Sequence, residues 1–317
     1  MSKDTHNLEN TILELEKCIQ ELKNNSEQDS SIEIKKLEEK KKTLQKEMYS
    51  NLPPYEIVKI SRHHLRPPVS DYINLMVDDF VELHGDRSYG DDKCIITGLG
   101  KIGNKKVLII GHQKGKTTKE RIKLNFGMPN PEGYRKALHK MKLAEKFHLP
   151  IVTLIDTPGA NPDIGAEERG QAHAIATNIA EMTKLKTPII CIVIGEGGSG
   201  GALGIGVGDK FSILEFAYCS VISPEGCAAI LWKSKDNAEQ AATALKFTAK
   251  DLYELGIVDE IIPEPTGAAH NNPEEMARTL KETIVRYIEE LQAIPIDKLI
   301  ENRHNKYRKI GCFLDGE

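Results

Sequence analysis

The groups in this sequence best suited to chemistry are backbone amides. The run Gly195-Glu196-Gly197-Gly198-Ser199-Gly200-Gly201, continued by Gly204, Gly206 and Gly208, follows an apolar stretch that reads as a buried strand. Without side chains, the backbone there is open to close approach by a substrate. The amides of Gly200 and Gly201, at an expected helix start, would form an oxyanion hole for an oxygen gaining negative charge. Close helix–strand packing accounts for Gly204 and Gly208. It accounts poorly for the run from Gly195 to Gly201, because each glycine costs backbone entropy on folding.

A second loop, DTPGANPDIG from Asp156 to Gly165, follows another apolar run and leads into a helix near Ala166. Ligands of α/β proteins sit at such strand ends, where helix amides point outward. A plain strand-to-helix connection is the competing reading, with Glu167 and Glu168 complementing the helix dipole. Gly159, Ala160 and Gly165 of this loop, with Gly197 and Gly198, are the expected substrate-binding positions.

Other motifs carry less. Gly111-His-Gln-Lys-Gly115-Lys116-Thr117 imitates a phosphate-binding P-loop, but only three residues separate its glycines where that loop needs four. The bases Lys114, Lys116, Lys119, Arg121 and Lys123 suit an anion such as the phosphates of coenzyme A, and a solvated surface is the preferred reading of them. No Gly-x-Ser-x-Gly elbow is present, so a hydrolase would have to rely on Ser199 and His173. Glu225, in Ser223-Pro224-Glu225, reads as a charge at a helix N-terminus rather than as an acid or base. The six cysteines form no Cys-x-x-Cys pair and no zinc-ligand spacing with histidine. They read as buried thiols of a reducing, cytoplasmic interior.

These loops need a rigid frame. The chain has 317 residues, 28% charged and 39% hydrophobic, which suits an ordinary globular core. A net charge of −4 gives no general attraction to nucleic acid, and the longest apolar stretch is far short of a membrane span. Residues 1–50 lack Gly and Pro. Their spacing of Leu8, Ile12, Leu15, Ile19 and Leu22, then Ile34, Leu37, Leu44 and Met48, predicts a helical hairpin for packing or assembly. Residues 51–317 form the expected main domain. Strands are predicted over 106–111, 150–155, 189–194, 211–216 and 219–222. Helices are predicted over 131–147, over 166–185 with Ala172, Ile175, Ile179 and Met182 on one face, and from 273 onward. Strands alternating with helices imply α/β architecture.

Five segments in order, GHQKGKTTKE, NFGMPNPEGYRKA, IDTPGANPDIGAEERGQ, VIGEGGSGGALGIGVGD and SVISPEGCAAILWKS, together resemble the alpha subunit of bacterial-type acetyl-CoA carboxylase carboxyltransferase. The similarity runs from about residue 10 to near the end and includes IIPEP at Ile261–Pro265. The resemblance implies a crotonase-like spiral of ββα units preceded by the helical hairpin. It implies transfer of a carboxyl group from carboxybiotin, held on a biotin carboxyl carrier protein, to acetyl-CoA, giving malonyl-CoA for fatty acid synthesis. It further implies a zinc-ribbon beta subunit holding the thioester, an α2β2 assembly, and a separate biotin carboxylase that uses the ATP. No metal is expected in this chain.

In that family paired glycine amides face the biotin ureido oxygen, and they fall on Gly200 and Gly201. Asn161 and Asp163 depart from the pattern, which has an aromatic and a glycine there. The alternatives are a stand-alone crotonase-type acyl-CoA hydratase or isomerase, which needs a complete thioester site in one chain, and a non-catalytic scaffold.

Overall fold

The computed structural model describes residues 14, 15, 17–23 and 31–311. Eight strands form one sheet: β1 (Asp78–Glu82), β2 (Ile95–Ile102), β3 (Lys105–His112), β4 (Ile151–Thr157), β5 (Ile189–Gly198), β6 (Lys210–Leu214), β7 (Tyr218–Ser220) and β8 (Glu260–Ile262). The order is β1-β2-β3-β4-β5-β6-β8, with β7 on the far half of β5. The β1–β2 and β2–β3 pairs are antiparallel and the rest are parallel.

Every residue of β4 and β5 is buried. Parallel strands covered on both faces must be apolar throughout, and this is why both were readable as continuous apolar runs. The helix Pro131–Lys146 packs on β2, β3 and the helix Gln171–Met182, while Pro273–Gln292 packs on β2, β5, β8 and the helix Val69–Met76. Met276, Leu280, Ile284, Ile288 and Leu291 are all buried, as the stripe predicts.

The structure differs from the sequence expectation in four respects. Strands β1, β2 and β8 were not expected. Gly98 and Gly100 interrupt the β2 pattern because Phe80 and Val77 cross where their side chains would lie. The strand predicted over 189–194 continues to Gly198, because the sheet partner changes from β6 to β7 along it. The helix predicted over 166–185 is two helices, Ile164–Glu168 and Gln171–Met182, broken at Gly170 with φ +83°. Its buried face runs through Gln171, Ala174, Asn178 and Met182, and Ala172 is exposed. Finally, a second tail helix, Ile296–Arg308, follows Pro295.

Both arms of the N-terminal section contain helix, at 17–23 and Ser31–Ser50, and Lys23 pairs with Glu38 between them at 2.8 Å. Leu15 and Ile19 are buried, and the Tyr49 ring meets Phe216 edge-on. Leu8, Ile12 and the polar break at 24–30 lie outside the described residues. Of the thiols, Cys94 and Cys191 are buried, whereas Cys18 is exposed. Among the described residues no helix is long and apolar enough to cross a membrane.

Arg303 ties the last helix to the start of β5. Its Nε and Nη2 donate to the two Asp209 carboxylate oxygens at 2.8 and 2.7 Å, and its remaining hydrogens reach the carbonyls of Met182, Leu185 and Thr187. Asp209 also accepts from the Ile189 amide at 2.8 Å. Removing one partner of a buried, fully bonded ion pair strands the other. Arg303→Met should lower the unfolding free energy by about 3–5 kcal/mol in a denaturant titration.

Candidate functional site

The site is built where β5 changes partners. Along β4 and β5, Ile155 pairs with Val193 and Thr157 pairs with Gly197, so Asp156 faces a bulge of Ile194, Gly195 and Glu196. A bulge frees polar backbone groups and re-aims the strand beyond it. Two of these groups have charged partners here. The Ile194 carbonyl accepts from Arg66 Nε at 2.8 Å, and the Glu196 amide donates to Asp156 Oδ1 at 2.9 Å. A side chain at Gly195 would collide with the Asp156 carboxylate.

Beyond the bulge, β5 crosses the loop after β4 at backbone contact. A Cβ on Gly198 would overlap the Pro158 carbonyl; one on Gly201 would sit 2.5–2.6 Å from the Gly159–Ala160 backbone; one on Gly197 would sit 2.9 Å from Cys219 Sγ. Packing therefore explains Gly195, Gly197, Gly198 and Gly201, which corrects the sequence reading. Gly200 differs: its Cβ direction is open, with Ile175 the nearest group at 3.8 Å.

The chain then enters the short helix Ser199–Leu203, with exposed Ser199 in the left-handed region at φ +48°. The first-turn amides of Gly200 and Gly201 have no hydrogen-bond partner among the described residues. The Gly201 carbonyl accepts from Tyr134 OH at 3.2 Å, and the buried His112 ring lies beside it. Burial, then the charge of Lys114, pushes the His112 pKa down to about 3, so the ring is neutral.

The loop after β4 is braced from behind. Thr157 Oγ1 donates to the Gly127 carbonyl at 2.6 Å and accepts from the Gly159 amide at 3.1 Å. Asn161 is buried. Its amide donates to the Pro129 carbonyl, its Nδ2 to Asn130 Oδ1 at 2.8 Å, and its Oδ1 accepts from Asp163 N at 3.2 Å. The departures at Asn161 and Asp163 thus bond to each other within the loop. Of the expected substrate-binding positions in this loop, Gly159 and Ala160 lie against Gly201, whereas Gly165 faces the Arg169 guanidinium.

Behind the glycines lies a charge network that the sequence reading missed. Glu196 accepts from Arg62 Nε at 2.7 Å, from Tyr218 OH at 2.6 Å and from Lys114 Nζ. Lys114 Nζ also pairs with Asp156 Oδ1 at 2.7 Å. Arg62 continues to Glu225 at 2.7 Å, and Arg66 makes a bidentate pair with buried Glu264 at 3.0 and 2.6 Å. Burial pushes the Glu196 pKa up, but the charges of Lys114 and Arg62 outweigh this and hold it at about 2.

Lys114 is therefore not a solvated surface base. Lys116 is exposed and pairs with Asp71 at 2.6 Å, while Arg121 lines a cavity of about 220 Å³ with Arg62, His63, Lys114, Asp156 and Glu196. Glu225 does lie in the first turn of the helix Pro224–Trp232 and also holds Arg62. Ser199 and His173 are both exposed and no hydrogen bond joins them. Among the described residues no group of three or more His, Cys, Asp or Glu could hold a metal ion. No local pattern reveals Arg62 or Tyr218, because their partner lies 134 and 22 residues away in sequence.

Comparison with known proteins gives a consistent set of matches. The family described as acetyl co-enzyme A carboxylase carboxyltransferase-like matches residues 5–311. The acetyl-coenzyme A carboxylase carboxyl transferase subunit alpha of Geobacter sulfurreducens is 58% identical over 85% of this chain and 84% of its own. That of Methylococcus capsulatus is 54% identical over 96% of each. Among solved structures, the transcarboxylase 12S core crystallised with methylmalonyl-coenzyme A and methylmalonic acid superposes with a TM-score of 0.58 at 19% identity. The match covers 73% of this chain and 44% of that one, so this chain spans under half of its length.

Two outcomes follow from the packing and the charges. Gly201→Ala should cost about 1–3 kcal/mol of stability by forcing the loop backbone apart. Gly200→Ala should stay within about 0.5 kcal/mol of the parent, and thermal melts of the two variants separate these cases. The Glu196 pKa is below its unfolded value. Its contribution to stability is therefore complete above the ordinary carboxylate range and is lost as pH falls toward about 2. A stability-versus-pH curve for Glu196→Gln should be flatter than the parent's across that acid window.

Proposed function

The chain belongs to the family of acetyl-coenzyme A carboxylase carboxyltransferase alpha subunits, and on that premise we propose that it carries one half of a split carboxyl-transfer site. Its fold is the crotonase-like α/β fold expected from the sequence, and a stand-alone hydratase or isomerase is not favoured. The reaction read for it is carboxyl transfer from a biotin carrier protein to acetyl-CoA, giving malonyl-CoA.

The observation that carries this reading is the pair of unpartnered amides at Gly200 and Gly201 beside an open approach. Preorganised amides of this kind stabilise charge that develops on an oxygen, by about 3–4 kcal/mol per donor. When bound, biotin supplies the transferable carboxyl group and a ureido oxygen able to hold that charge. Gly200 and Gly201 would hold the oxygen, with Gly197, Gly198, Gly159 and Ala160 shaping the backbone around it. Gly165 is the weakest member of the set, since it faces Arg169. No side chain of this chain is assigned as nucleophile: Glu196 is held between two cations and a tyrosine, and Ser199 stands alone.

A beta subunit is read as supplying the thioester site and, with it, the zinc ribbon. Large apolar side chains are exposed: Ile164 and Leu203 on the short helices that follow the two loops, Val221 just after β7, and Ile230 and Leu231 on the helix Pro224–Trp232. A partner face over them accounts for that exposure. An α2β2 assembly, the carrier protein, a separate ATP-using biotin carboxylase and a cytoplasmic setting complete the reading. The segment 1–50 is read as a packing or assembly element.

Carboxyl transfer from malonyl-CoA to free biotin tests the proposal. It should occur when this chain is mixed with its beta partner and be absent with either chain alone. Turnover by this chain alone would mean that the thioester site is complete here and would remove the split-site reading.

A further inference from the structure

The bulge in β5 is held by charge, and one side chain joins its two sides. Lys114 follows β3 and stands in the cavity wall, 18% exposed, with its ammonium on both Asp156 and Glu196. Asp156 closes the bulge through the Glu196 amide, and Glu196 is the last residue before the glycines. We propose that Lys114 is a positioning residue for carboxyl transfer: by bridging the two carboxylates it locks the ends of β4 and β5 in the arrangement that aims the Gly200 and Gly201 amides. This rests on the reading of those amides given above.

The physical argument is one of like charges. Two carboxylates that share one ammonium repel each other when it is removed, and the low dielectric around them magnifies the repulsion. Other groups face the pair. Arg62 and Tyr218 contact Glu196; Arg66 lies close by but is committed to Glu264 and the Ile194 carbonyl; Glu225 draws on Arg62; His112 is neutral. None of them bridges both carboxylates. Without Lys114, the pair would spread, and the crossing of Gly198 and Gly201 over Pro158–Ala160 tolerates no displacement without loosening the first turn that follows. A proton shared between Asp156 and Glu196 would replace the missing cation in part.

The test uses the complete two-subunit enzyme and the malonyl-CoA-to-biotin assay. Lys114→Met should lower kcat by about 100-fold, the size of effect that small misplacement of a site produces. KM for malonyl-CoA should stay within about twofold, since the thioester is held elsewhere. The ratio of variant to parent kcat should rise as pH is lowered from 8 to 6, a signature that general loosening of the fold does not give. Adding Asp156→Asn to Lys114→Met should recover at least tenfold of the loss. The new amide oxygen still accepts from Glu196 and no longer repels it.

A folded Lys114→Met enzyme with kcat within threefold of the parent overturns the proposal. So does a deficit that is independent of pH and unrelieved by Asp156→Asn. Should Lys114→Met alone not fold, the double variant carries the test: kcat within about 30-fold of the parent supports the proposal, and a larger loss overturns it. An ester in place of the Gly200 amide, measured in the same assay, separates this inference from the one beneath it. Full activity of the ester variant sinks the amide reading whatever Lys114 does; a dead ester variant beside a fully active Lys114→Met sinks the positioning role alone.

Discussion

The whole site depends on two stretches of backbone touching without side chains between them. Beyond its bulge, β5 runs directly over Pro158, Gly159 and Ala160, and the contact closes only because Gly198 and Gly201 present no Cβ. Such contact gives little apolar burial. The arrangement is held from outside it instead, by Asp156 on the Glu196 amide, Arg66 on the Ile194 carbonyl and Thr157 on the Gly127 carbonyl. The resulting turn leaves two neighbouring amides without a partner among the described residues, and such amides beside an open approach are suited to a negative oxygen.

This division of labour explains why the charges sit behind the glycines rather than among them. Burying Lys114, Asp156, Glu196 and Arg62 together is costly unless each is paired. Within the network every one of them is, and Glu196 stays ionised over the entire working range as a result. Glu196 is therefore no acid at neutral pH. The network's contribution is rigidity where the strand bends, which the proposed backbone donors require.

Much of this was legible in the sequence, but unevenly. Buried strands β4 and β5 announced themselves as apolar runs, and the glycine cluster marked the strand end. The tail stripe from Met276 to Leu291 predicted its helix correctly. What failed was whatever depended on contacts distant along the chain. Strand β2 was hidden because Gly98 and Gly100 are shaped by Phe80 and Val77 crossing over them. Lys114 looked like one more base in a basic stretch, and only the fold places two carboxylates beside it. The glycines were taken mainly as an approach for substrate, whereas most are glycine because another backbone or side chain already occupies the space. At Gly200 no atom lies closer than 3.8 Å to where a Cβ would sit, so packing does not account for the glycine there.

The most direct measurement is to replace the Gly200 amide by an ester, incorporating glycolic acid at that position in the two-subunit enzyme. The change deletes one N–H donor and leaves the side-chain packing as it was. The account predicts a fall in kcat of about 10²–10³ for carboxyl transfer, with the melting temperature little changed, as expected for loss of one oxyanion donor. A correctly folded ester variant with unaltered kcat would contradict it, because the amide on which the site is centred would then take no part in the reaction.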